Sequence, residues 1–456
     1  MKKPLLFCAA LVRTHYGHVG YLVVCGNEAW ESPGCPSHHK WTSILLRKEI
    51  TEVFTPRRSE VNVNMYVHRP RLELELSRAF KRNSHTLIFG ESGNGKSWLY
   101  KKVLEDDGIT YVTVNCANAA RIKSLTAEIC NCLIAPGTAV SLGYNVEKVA
   151  ELSAAFLKGG LKQSDRYDVT QEEPLLKAFN LYASANNAKK IIVLDNLESI
   201  FSSEELMDEL SNIIILLDDS RYAECNINFL VVGVPNGVLQ YFREIKNAES
   251  VANRLQEIQK VGGLDSGQVR EIVSKGFAHL QIPLSGASLI EISEHVSDVT
   301  LGIAQRVHEF CEHLAYAIQD NKWTYIPKTL QAADLAWLTA GLRHAYSVVE
   351  KNLNSRETTV ARRNQVIYCI AKVKRHEFDS SDIDRLVREN FPRTVPNTNM
   401  GIGSILADLT AGSSPLIIKN EHTGGYSVKD PRFIMCIKLM LYTDAAEKVQ
   451  CRKFQV

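Results

Sequence analysis

Hydrophobic positions along the chain follow two rhythms, and the change between them falls near residue 263. From about residue 60, short apolar runs of strand length alternate with stretches of helical period. A helix is predicted over 70–82, then the apolar run Thr86–Phe89, a glycine-rich turn and a helix beginning near Lys96. The β-branched run Ile109–Asn115 predicts a strand, and 118–133 a helix. Residues 134–170, rich in Gly, Ser, Ala and Lys, read as an insertion with one helix near 146–158. A helix over 173–187 leads to Ile191–Leu194, wholly apolar as a parallel strand buried on both faces must be. Helix 203–217, strand Ile227–Val234 and a last strand near Glu257–Val261 complete the alternation. Strands separated by helices predict an α/β fold, a parallel sheet with helices on both faces.

After Gly263 the strand signal stops. Helices at 266–278, 286–296 and 301–319 predict an all-helical unit, with further helix to about 352. Then follow helices 362–373, 380–390 and 401–411, and a ribbon of Leu416–Lys419 and Tyr426–Lys429 turned at Gly424 and Gly425. A closing helix is capped by Asp430 with Pro431 at its first position. Three helices and a β-hairpin are a winged-helix pattern. The expected division is an N-terminal extension over 1–58, of which 1–45 are expected outside the folded core, an α/β core over 59–263, a helical unit over 264–325, and a linker with winged helix over 326–456.

Composition changes this picture little. At 456 residues and 45% hydrophobic, the chain can bury two or three cores. The net charge of +2 excludes a polybasic or polyacidic protein. Residues 324–456 nevertheless carry 19 Lys and Arg against 13 Asp and Glu, a mildly basic balance. The 11 cysteines have no repeated spacing, and several, such as Cys116, Cys311 and Cys369, sit in apolar runs. That predicts reduced, buried thiols in a cytoplasmic protein. No apolar run reaches bilayer length. Pro4 to Val12 only faintly resembles a secretory leader, and Cys25, Cys35, His38 and His39 lack a paired zinc-knuckle spacing.

The strongest chemical signal is Gly90, Glu91, Ser92, Gly93, Asn94, Gly95, Lys96 and Ser97, which fit G-x-x-x-x-G-K-[ST] between a strand and a helix. The glycines let backbone N–H groups turn inward around an anion, and the following helix adds its positive dipole end. Lys96 reaches the β- and γ-phosphates and Ser97 offers a hydroxyl to Mg²⁺; Trp98 follows in the first helical turn. ATP and Mg²⁺ are the expected ligands. The apolar strand ending in Asp195 supplies a carboxylate for the metal shell. Asn196 follows it, and Glu198 is the nearest acid. Glu198 either polarises the attacking water or is an acid favoured by a helix N-terminus. Asn236, past the strand Ile227–Val234, either contacts the γ-phosphate or caps the next helix.

With these motifs the chain resembles the AAA+ P-loop ATPases over about 60–322, extended to about 445 by the winged-helix pattern. The order of elements looks like the origin-recognition/Cdc6-type and transposition-regulator ATPases. Leu194-Asp195-Asn196-Leu197-Glu198 is also similar to the STAND switch ATPases. The resemblance implies ATP hydrolysis. It makes Arg254 an arginine finger offered to a neighbouring subunit, against an ordinary surface Arg paired with Glu257. It makes Arg306 a sensor 2 residue, although the family spacing falls on Gln305, and Val67 and His68 the wall of the adenine.

The expected partners are ATP or ADP, further copies of the chain on ATP binding, and double-stranded DNA through the winged helix, or else a protein in place of DNA. Its third helix, Gly401–Leu409, holds no Lys or Arg, so base reading by such a residue is not expected there. Lys372, Lys374, Arg375, Arg385, Arg388, Arg393, Lys419, His422 and Lys429 lie around it and suit phosphate contacts.

Overall fold

The structure, a computed structural model, describes residues 8–13, 19–24, 47–82, 84–134, 173–184, 188–233, 248–354 and 360–452. The insertion helix, Asn236 and the Cys25–His39 group of the sequence reading lie outside them. Residues 1–46 form one unit, in which β1 (Cys8–Arg13) and β2 (Val19–Val24) pair antiparallel. Residues 47–456 form the other.

The second unit opens with α1 (Ile50–Val53), which falls within the extension expected over 1–58. Ile50, Val53 and Phe54 are buried, and Phe54 packs on Phe277 at 5.6 Å between ring centroids. Apolar burial therefore ties this segment to the helical half of the molecule.

The α/β core follows: α2 (Pro70–Lys81), β3 (His85–Phe89), α3 (Lys96–Asp106), β4 (Thr110–Asn115), α4 (Cys116–Ile122), α5 (Leu125–Leu133), α6 (Pro174–Ala183), β5 (Lys190–Asp195), α7 (Glu204–Leu216), α8 (Ser220–Ala223), β6 (Ile227–Gly233), α9 (Ala248–Ala252) and β7 (Leu255–Glu257). The helix expected over 118–133 is two helices. Lys123 turns left-handed (φ 58°), and the Ser124 side chain caps the second by accepting the Ala127 N–H. The five strands are parallel in the order β4-β5-β6-β3-β7. Period-2 alternation divides their side chains: Ile192 and Leu194 face one cluster under α4 to α7, while Ile191 and Val193 face another under α2 and α3.

The last strand starts two residues earlier than the sequence pattern suggests. Leu255–Glu257 pairs with His85–Leu87. Beyond it the Ile258 N–H reaches the Leu87 carbonyl and the Val261 N–H the Phe89 carbonyl, both at 2.9 Å. Three residues thus advance against two, and the ladder is interrupted as at a bulge.

The helical half contains α10 (Ser266–His279), α11 (Gly286–Thr300), α12 (Ala304–Asp320), α13 (Pro327–Ala340), α14 (Arg343–Asn352), α15 (Arg362–Ile370), β8 (Glu377–Phe378), α16 (Ser380–Asn390), α17 (Ile402–Thr410), β9 (Ile417–Lys419), β10 (Tyr426–Val428), α18 (Pro431–Met440), β11 (Leu441–Thr443) and β12 (Val449–Cys451). A capping box between Asp265 and Gln268 starts α10. The predicted ribbon is present and gains β8, giving a three-stranded antiparallel sheet in the order β8-β10-β9. The expected boundary at 325/326 has no counterpart in packing. One continuous apolar core runs from Ile50 through Phe310 and Trp337 to Phe433 and Val449. Cys116, Cys311 and Cys369 are free and buried, as their apolar settings predict. Among the described residues no helix is long and apolar enough to cross a membrane.

Candidate functional site

All five core strands point the same way, so their C-terminal ends share one edge of the sheet. There β3 ends at Phe89 and Gly90 begins the loop. Asp195 follows Leu194, which pairs with Val231, so it stands level with Val232 and hence with Ile88. Loop and carboxylate are thus two strands apart at one edge, roughly 10 Å at ordinary strand spacing.

The loop is held from inside and outside. Inside, the Lys96 ammonium donates to the carbonyls of Gly90 (2.7 Å) and Glu91 (3.2 Å). Burial lowers the Lys96 pKa, and the negative charges of Glu198, Asp195 and Glu91 oppose the shift in that order. Outside, Gly90 runs so close to the chain entering the helical half that a Cβ there would lie 2.3 Å from the Val261 carbonyl oxygen. Gly95 adopts φ 84° as it leads into α3. Asn94 is buried, and its side-chain amide donates to the Val261 carbonyl at 3.1 Å.

Asp195 accepts the Asn196 N–H at 2.9 Å and the Tyr100 hydroxyl at 3.3 Å. Burial, with the Asp195 charge second, pushes the Tyr100 phenol upward, so it stays a neutral donor. Among the described residues no group of three or more His, Cys, Asp or Glu could hold a metal ion by itself. Ser97 and Asp195 would offer a hydroxyl and a carboxylate oxygen to a divalent cation bound with a phosphate, which supplies most of that cation's remaining ligands.

Asn196 is left-handed (φ 58°), and its amide donates to the Asn115 side chain at 3.1 Å. This turn starts the 3₁₀ segment Leu197–Ser199, which brings the exposed Glu198 near Lys96. Glu198 is therefore not in the first turn of an α-helix; that place belongs to Glu204 and Glu205.

Other predicted residues lie differently. Arg254 precedes β7 beside His85, at the opposite end of β3 from Gly90. Its partner is Asp218, with Nε 2.5 Å from Oδ2, rather than Glu257. Arg306 also turns away from the loop: its guanidinium is 2.6 Å from Glu309 Oε2, the oxygen that accepts the Trp337 indole N–H at 3.0 Å. Gln305 takes the position over the loop, its N–H donating to the Gly93 carbonyl at 2.9 Å and its side chain packing across Gly93. Val67 is buried in the core of the helical half, whereas His68 is exposed and bonded to Glu73 at 3.1 Å. Trp98 donates to the Arg58 carbonyl at 3.0 Å and meets the His308 ring edge-on at 5.5 Å.

Two residues at the site carry no motif of their own: Tyr100, which donates to Asp195, and Arg69. The Arg69 guanidinium donates to the carbonyls of Asn94 (2.9 Å) and Gly262 (3.0 Å). In sequence this arginine closes the segment Tyr66–Arg69, whose Val67 and His68 are the residues that the resemblance assigns to the adenine, and stands just before Pro70 at the first position of α2. A cavity of about 250 Å³ opens beside it, lined by Arg69, Leu72, Lys260, Gly262 and Gln268 among others. A second cavity, of about 480 Å³, is lined by residues from Thr51 to Arg58 with Glu309 and Glu312 and includes no residue of the loop.

Residues 78–242 match the family model described as an AAA domain. Solved structures similar to the chain include a Walker-type ATPase of Pyrococcus abyssi, at 13% identity and TM-score 0.46 over 82% of this chain and 96% of that one. The Aeropyrum pernix ORC2 protein in ADPNP and ADP complexes is similar at 15% identity and TM-score 0.46, over 85% and 98%. The Drosophila origin recognition complex bound to DNA is similar at 14% identity and TM-score 0.41, over 90% and 95%. No curated protein matches the chain.

Proposed function

We propose that the chain binds ATP with Mg²⁺ on the loop Gly90–Ser97, hydrolyses it, and uses nucleotide occupancy to control self-assembly and association with double-stranded DNA. The observation that carries this reading is the shared sheet edge, where Lys96 lies within the field of both Asp195 and Glu198. In this scheme Lys96 and the N-terminus of α3 hold the phosphates, and Ser97 and Asp195 hold the metal. Glu198 polarises the attacking water, and Arg254 acts only on the nucleotide of a neighbouring copy.

DNA association rests on the C-terminal helices and three-stranded sheet, read as a winged helix. The exposed part of α17 presents Gly403, Ser404, Ala407 and Asp408, so base reading by a basic side chain is not its task. Phosphate contacts would come from the exposed Lys374, Arg375 and Lys419. Arg388 is already engaged by Asp384 at 2.7 Å and by the Pro396 carbonyl at 3.0 Å.

The deciding experiment measures ATP turnover and particle size with and without ATP and duplex DNA, against Lys96→Ala. Turnover and ATP-dependent growth are expected in the wild type and lost in the variant; a monomer indifferent to both ligands overturns the scheme. A second reading, a STAND-type switch that retains ADP with a protein-contacting winged helix, is favoured by one feature. The C-terminal helices share their core with the helices over the loop, as a clamped inactive form requires. Copurifying ADP with slow release and no DNA binding would select it.

A further inference from the structure

We propose that Arg69 is a positioning residue that bolts the phosphate loop to the hinge between the α/β core and the helical half. The inference rests on the nucleotide reading of the loop only for its effect on affinity; the bolt itself is a contact within the protein.

Glu73 fixes where Arg69 stands. Its Oε1 accepts the Arg69 N–H at 2.7 Å and the Tyr66 hydroxyl at 2.9 Å, locking the chain ahead of α2. The guanidinium then reaches two carbonyls from different parts of the molecule. Asn94 belongs to the loop. Gly262 belongs to the connection after β7, whose neighbour Leu264 donates to the Gly302 carbonyl at 2.7 Å, at the start of α12. A planar fork with fixed N–H directions can span two such acceptors; the single ammonium of Lys cannot hold both in the same geometry. Asn94 adds a parallel tie to Val261. Loop shape and hinge position are therefore set together, through carbonyls rather than through phosphate.

The test uses the full chain with Arg69→Ala and Arg69→Lys. Hydrogen exchange in nucleotide-free protein should quicken around 92–95 and 261–264 in Arg69→Ala, and less in Arg69→Lys. Dissociation constants for ATP and ADP should rise by the same factor, about 10-fold, as the loss of a charge-assisted bond implies. Unchanged exchange at both segments overturns the bolt. A loss confined to ATP overturns it too, since it would make Arg69 a direct γ-phosphate contact. If the wild type binds neither nucleotide while exchange still responds to the variants, the nucleotide reading fails and the bolt stands. Arg69→Lys keeps the test open should Arg69→Ala not fold.

Discussion

Gln305 donates its backbone N–H to the Gly93 carbonyl at 2.9 Å, while the next residue, Arg306, is turned into the interior of the helical half. One step along α12 thus separates a contact with the loop from a contact with the core. Arg306 neutralises Glu309, which is 7% exposed and shares its oxygen with Trp337.

Arg306→Ala should lower stability by about 2 kcal/mol, because it leaves a buried carboxylate with less compensation. ATP affinity should stay within about 2-fold of wild type, a shift of a few tenths of a kcal/mol. Thermal denaturation and nucleotide titration read the two effects. A large affinity loss with unchanged stability would restore Arg306 to the phosphates.

Lys96→Ala removes both the loop's internal ties and its buried positive charge. ATP affinity should fall by about 100-fold or more, roughly 3 kcal/mol. Fluorescent nucleotide binding measures this, and retained affinity would remove the loop from the site.

Gly90 and Gly95 should respond differently to alanine. A Cβ on Gly90 collides with a backbone carbonyl that cannot swing aside, so Gly90→Ala should cost more than about 2 kcal/mol. A Cβ on Gly95 finds its nearest neighbour at 3.8 Å, leaving mainly the cost of the left-handed backbone, about 1 kcal/mol. Urea denaturation orders the two; equal costs would contradict the close approach of Val261.

Burial depresses the pKa values of His85 and His308 from 6.5 to about 4. Both are neutral when folded and protonate more readily when unfolded. Their contribution to stability is whole above about pH 6.5 and is lost as pH falls towards 4, by about 1.4 kcal/mol per histidine for each pH unit. His308→Gln should flatten the pH dependence of stability by about one proton between pH 4 and 6.5. An unaltered slope would mean that His308 is not neutral in the folded protein.

The strands and most helices were legible because each carries its period over a full element. The break at Lys123 was not, since Ala, Cys and Ile run helically through it and only the Ser124 cap divides them. The strand β8, two residues long behind a basic run, is too short to show alternation. At the site, Gly90–Ser97 and Asp195 could be read because their spacing is local. Arg69 could not, because its partners lie 25 and 193 residues away. Arg254 and Arg306 were named from position along the chain. Asp218, the partner of Arg254, lies 36 residues away and emerges only when the chain is folded, whereas Glu309 stands three residues after Arg306 on a predicted helix, a spacing that already offers the pair.

The unbroken core from Ile50 to Val449 bears on the C-terminal sheet as well. Because α12 belongs to that core and touches Gly93 at its first turn, the hairpin carrying Lys419 and the phosphate loop are joined through one continuous apolar packing. Cutting the chain between α12 and the C-terminal sheet would therefore divide one core and expose apolar surface on both pieces.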